Sequence, residues 1–386
     1  MRFLLCALLF VAIMPVIATS QTGFKTYTLF HEDGRLIEKP ITISFISADG
    51  QITDGHILSL SVLRLDSVYY ADNNPDRQQM LGTPITLHFK HVGDSLLVER
   101  FSPEYYAIFV AYHTIRSLEY FDSLFSGYLD FDHDQNYANI QIFLGRYGQS
   151  DPKQYVFTPG SRPSPTIVYH EIGHRAFWQL QDTLRIGRPG DILHMGLLEY
   201  FTASQADYPV ILEGLVPESL QRDVSKKVTY PDGIINYPDF FNLYYQAYKD
   251  SFAVAPAYKL LYDVNAKRMS EWDSIYGGKD IAKNVIEAHR SGLVITHPLW
   301  KLRLRFGQQK CDRLVKEAMI MIPSALKRRA EYLSKPQDAP KGAARWFDFL
   351  YTIVMADESL FGAADKSIIL DEFKEAGFDV GLVRAN

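Results

Sequence analysis

The chain has 386 residues, of which 47% are hydrophobic and 22% charged, with a net charge of −5. That balance suits a packed globular protein with roughly two or three domains' worth of core and argues against a disordered chain. With no basic excess and no long run of like charge, it also argues against nucleic acid or an anionic lipid surface as a partner.

The first twenty residues read as a segment that is removed. Arg2 gives a positive start, Phe3 to Ile17 is apolar, and Ala18-Thr19-Ser20 supplies small residues before Gln21. The apolar run is short for a spanning helix and has no charged stop after it, so it reads as a secretory signal rather than an anchor. Cys6 lies near the start of the apolar run rather than behind it, which argues against a lipoprotein. The expected mature protein is therefore exported, either secreted or periplasmic, with no membrane association after cleavage. It keeps one cysteine, Cys311, and so has no internal disulfide; Cys311 sits in a helical pattern with Leu314 and Val315 and reads as a packed thiol.

From Phe24 to about Phe101 short alternating runs predict strands: Thr26 to Leu29, Ile41 to Phe45, Ile57 to Val62, Ile85 to Phe89 and Leu96 to Val98. Asp33-Gly34, Asp49-Gly50 and Asp54-Gly55 punctuate them as turns, so an antiparallel β-rich domain is expected over 21–102. The period then changes. A long helix is predicted over Tyr105 to Phe125, followed by an Asp/Asn-rich loop, Asp130 to Asn136, and a strand, Ile140 to Leu144. The loop has the alternate oxygens of a calcium loop, but Gln135 stands where the turn glycine belongs and Gln141 where the bidentate Glu belongs, which argues against calcium. Beyond Pro165 the pattern is mainly helical, ending in Arg345 to Met355 and Lys366 to Glu375. The expected class is α+β: a β-rich N-terminal region, then a unit over 103–386 with a mixed lobe to about 208 and a helical lobe beyond.

The sharpest chemical signal is His170-Glu171-Ile172-Gly173-His174. Ser164 suits an N-cap and Pro165 the first helical position, so a helix is predicted from there to about Gln181. On it His170 and His174 stand one turn apart on one face, able to share a metal ion. Glu171 is placed to take a proton from a metal-activated water. Zinc on two histidines needs a third protein ligand. The helix opened by Asp191 offers His194 and Glu199, and Gly196 on it predicts a close approach to the metal-bearing helix.

These residues resemble the gluzincin metallopeptidases, the group of thermolysin, fungalysin and the aminopeptidases with the same zinc motif. Three pieces carry the resemblance: Pro165 to His174; Gly196-Leu197-Leu198-Glu199-Tyr200-Phe201; and His289 to Ile295 with Leu299-Trp300. It implies a thermolysin-like unit over about 104–380, a zinc cofactor on His170 and His174, Glu171 as the catalytic base, and His289 as a hydrogen-bond donor to the transition state. The resemblance places a ligand glutamate just before the glycine and a supporting acid four residues later. Here Met195 holds the ligand place and Glu199 the supporting one. Glu199 is the expected third ligand, by a shift of the helix through one turn, with His194 the alternative. Three function classes follow: a secreted zinc peptidase acting on peptide or protein substrates, an endopeptidase in the absence of any recognisable anchor for a free terminus; an inactive peptidase-like binding protein; and a structural exported protein with an accidental motif.

Overall fold

The computed structural model describes residues 24–32, 35–46, 59–70, 78–129, 131, 139–145, 150, 153–186, 191–213, 216–251, 259–260, 262–264, 266–267, 287–332 and 345–382. The first twenty residues and the acidic loop, save Phe131, lie outside them. Six strands come first: β1 (Phe24–Glu32), β2 (Arg35–Ile43), β3 (Ser59–Tyr70), β4 (Gln78–Ile85), β5 (Lys90–Val92) and β6 (Ser95–Leu97). β1 and β2 pair antiparallel from Phe24 opposite Ile43 to Glu32 opposite Arg35, the hairpin that Asp33-Gly34 predicts. Alternation turns Thr26, Thr28, Ile41 and Ile43 inward and leaves Lys25, Tyr27 and Thr42 in solvent. Residues 86–89, expected as strand, are not in one; β4 stops at Ile85.

Helix α1 (Pro103–Leu124) follows, started by Ser102, whose hydroxyl accepts from the Tyr105 N–H at 3.2 Å. Then come β7 (Asn139–Leu144) and β8 (Gln154–Phe157). The first sheet has the order β2-β1-β6-β5 and the second β4-β3-β7-β8. β3 runs parallel to β7, Ser59 opposite Asn139 through Arg64 opposite Leu144. Sheet pairing thus crosses the boundary drawn at residue 102, and one continuous core contains Leu29 and Ile43 together with Phe109, Ile142, Phe177 and Leu302. Turn spacing could predict hairpins in the β-rich stretch; it could not predict a parallel partner some 80 residues away.

The rest is mainly helical: α2 (Pro165–Leu184), α3 (Ile192–Ala206), α4 (Tyr237–Tyr248), α5 (Ala288–Phe306), α6 (Gln308–Lys327), α7 (Trp346–Phe361) and α8 (Lys366–Glu375). A short antiparallel pair, β9 (Val210–Ile211) and β10 (Arg222–Asp223), joins α3 to α4. Sheets in the N-terminal half and helices in the C-terminal half make the molecule α+β. Cys311 is buried in α6, its thiol pushed up to about 12 by burial, as a packed thiol should be. Among the described residues no helix is long and apolar enough to cross a membrane.

Glycines set the helix spacing around the site. A Cβ on Gly173 of α2 would stand 2.4 Å from a methyl of Leu198, so Gly173 is where α3 seats on the motif helix. Gly196 faces the other way from expectation: its Cβ would meet Ile295 Cβ at 2.5 Å and the Gly292 carbonyl oxygen at 2.7 Å. The close approach is therefore between α3 and α5, and Thr296 locks it by donating to the Gly196 carbonyl at 2.8 Å. An alanine at Gly196 would force these helices apart, at a cost of about 1–3 kcal/mol.

Candidate metal centre

The motif helix forms as the sequence predicts, with Ser164 at the N-cap and Pro165 first. The Ser164 hydroxyl pairs with the Thr166 hydroxyl at 2.8 Å and makes no capping bond. Thr166 in turn accepts from the Leu212 N–H at 3.2 Å, tying the β9 segment to the start of α2. One turn further on stand His170 and His174, ring centres 4.7 Å apart.

Helix α5 supplies the third imidazole. His289 lies in its first turn, its ring 5.5 Å from His170 and 6.1 Å from His174. Each of the three histidines offers one ligand atom, and these atoms all lie within 4.8 Å of one another. Three nitrogens on one tetrahedral zinc stand roughly 3.3 Å apart, given Zn–N bonds of about 2.0 Å, so side-chain shifts on the order of 1 Å bring the set to zinc spacing. His170 is buried, while His174 and His289 are partly open to solvent. An all-imidazole set suits zinc among the common divalent ions.

Carboxylates stand behind two of the rings. Glu287 caps α5, accepting from the backbone N–H of His289 at 3.2 Å and of Arg290 at 2.7 Å. Its Oε1 also lies 3.1 Å from His289 Nδ1. A carboxylate accepts, so Nδ1 carries the proton and Nε2 keeps its lone pair free. Glu199, fully buried on α3, has Oε2 3.4 Å from His170 Nδ1. Its other oxygen accepts from Arg222, a buried guanidinium delivered by the two-residue strand β10. Glu199 lies outside the group of three, in the supporting position.

Electrostatics favour neutral rings at His170, His174 and His194. Burial, reinforced by the Arg222 charge, holds His170 well below the usual imidazole range. The Glu199 carboxylate beside it would favour a proton, but it is already engaged by Arg222. His174 is held well below that range by burial and by the neighbouring histidines, and His194 is pushed down to about 4 chiefly by burial. Neutral imidazole is the form that binds metal. Arg222 itself is pushed down to about 10 by burial, against the opposing pull of Glu287 and Glu171. Glu171 is almost wholly buried on α2 next to His170.

Of the residues expected from sequence, His170, His174 and His289 converge, Glu171 is buried next to His170 in the chain, Glu199 backs His170, and His194 packs 6.2 Å from His174, ring centre to ring centre. Met195 is buried where α3 meets Gly292. Sequence reasoning missed Glu287 and Arg222. Glu287 had a signal, an acid two residues before a histidine at a helix start; Arg222, on a strand of two residues, had none. Comparison of the chain with protein-family models and with curated proteins gives no match.

Proposed function

We propose that the protein is an exported zinc-dependent peptidase of the gluzincin type, its thermolysin-like unit built around α2, α3 and α5. The observation that carries this reading is the convergence of the H-E-x-x-H pair with His289, three imidazoles whose ligand atoms lie within 4.8 Å. The resemblance makes His289 a donor to the transition state; its place in the group makes it, in this reading, the third residue holding the ion, where the resemblance has a carboxylate. Export rests on the pattern of the first twenty residues.

The chain's own groups divide the work. Zinc supplies Lewis acidity at such a site, polarising a carbonyl and making water a readier proton donor. Glu171, next to His170 on α2, takes the proton of the attacking water and passes it to the leaving amine. Glu287 fixes the tautomer and aim of His289 through its Nδ1. Glu199 and Arg222 form a buried ion pair that braces His170 from behind. His174 and His289 are the two rings of the group partly open to solvent.

A second reading, a metal-holding but inactive binding protein, is favoured by Met195 standing where the resemblance has a ligand glutamate. Glu171→Gln in the chain from Gln21 to Asn386 separates the two. The peptidase reading expects hydrolysis of a mixed peptide library by the zinc-loaded protein, lowered by about 10²-fold or more in the variant with zinc content unchanged. Equal rates in both proteins would reject it, and zinc without hydrolysis in either would leave the binding reading standing.

A further inference from the structure

We infer that His194 is the positioning residue of His174, completing the backing of the metal centre described above; the inference rests on that metal-centre reading. A ligating histidine gives its other ring N–H to a carboxylate, a carbonyl or water, which fixes its tautomer and orientation. His289 has Glu287 for this, and His170 faces Glu199. Among the described residues His174 has no such group: its Nδ1 is buried without a hydrogen-bond partner. The ring packed beside it from α3 is His194, centre to centre 6.2 Å and tilted by 25°.

His194 is itself anomalous. It is fully buried, and among the described residues neither Nδ1 nor Nε2 has a hydrogen-bond partner. Its other ring neighbour is the apolar Phe177, edge-on at 5.3 Å. A buried polar atom left unpaired costs about 1–3 kcal/mol, so two on one ring are not a device for stability. His174 Nδ1 and one nitrogen of His194 can complement each other, because a neutral imidazole has one N–H to donate and one nitrogen to accept. His194 lies outside the group of three ligand atoms, so its action on the ion is through His174.

His194→Leu and His194→Gln test this, with zinc affinity read by competition against a chromophoric chelator and the unfolding midpoint of the metal-free protein read alongside. Leucine fills the space without nitrogens, so the metal-free midpoint is expected to hold or rise while the zinc dissociation constant rises about 10–100-fold. Glutamine keeps an acceptor and is expected to recover most of the affinity. Wild-type affinity in His194→Leu would overturn the inference alone. Equal weakening in both variants, in step with a lowered metal-free midpoint, would also overturn it by showing a packing role. A wild-type protein that takes up no zinc would overturn it together with the metal centre.

Discussion

Two seams of α2 bury histidines, and they treat them oppositely. On one side His113 of α1 lies fully buried against Tyr169, with both ring nitrogens engaged: Nε2 with the Leu29 carbonyl at 2.9 Å and Nδ1 with the Tyr169 hydroxyl at 2.8 Å. A carbonyl only accepts, so Nε2–H donates to it and Nδ1 accepts from the tyrosine. One residue along the same helix, His170 turns to the other seam, where Nδ1 of His170, His174 and His194 all lack hydrogen-bond partners among the described residues. At His113 the fold pairs both nitrogens of a buried ring, whereas at His31 it pairs Nε2 with Glu213 and, among the described residues, leaves Nδ1 without a partner. The proposed metal centre lies in the seam whose histidines keep unpaired nitrogens, and those nitrogens cost stability in the metal-free fold.

The contrast can be broken most sharply from the paired side. His113→Ala strips partners from the Tyr169 hydroxyl and the Leu29 carbonyl and opens a cavity, so a loss of about 2–4 kcal/mol is expected in denaturant unfolding. Zinc bound per chain in the folded variant should stay as in the wild type. A variant that lost metal and kept its stability would reverse the roles given to the two seams.

Acid gives a graded version of the same test. Burial pushes His113 down to about 3 and His31 down to about 4, the latter against the pull of Glu213. Both rings are neutral in the folded state, whereas in the unfolded chain each takes a proton near pH 6.5. Below that point the unfolded state binds more protons, so their contribution is complete above about pH 6.5 and drains away as pH falls toward the folded values. Each group adds at most about 1.4 kcal/mol per pH unit. Metal-free His113→Gln should therefore show a shallower loss of stability between pH 6 and 4.5 than the metal-free wild type, and parallel curves would contradict the assignment.

Local signals carried much of the fold. Pro165 marked the start of α2, Asp191 caps α3 by accepting from the Leu193 N–H at 2.9 Å, and α8 spans Lys366–Glu375 as its pattern predicts. The motif made His170 and His174 legible, because their spacing is a property of one helix. The third imidazole depended on packing instead. Glu199 and His289 sit on helices whose positions are set by contacts far apart in sequence, Gly173 under Leu198 and Gly196 against Gly292. Nothing within the Gly196–Phe201 segment says that its glycine faces α5 and that Glu199 therefore stands behind His170. The parallel pairing of β3 with β7 was hidden for the same reason.

The central claim, that His170, His174 and His289 together hold one zinc ion, is tested most directly by elemental analysis of the chain from Gln21 to Asn386 beside His289→Ala after equilibration at limiting free zinc. The account predicts about one zinc per chain in the wild type and a clear loss in the variant. Full zinc in His289→Ala would return His289 to the role of a donor outside the ligand set, and no zinc in either protein would contradict the metal centre outright.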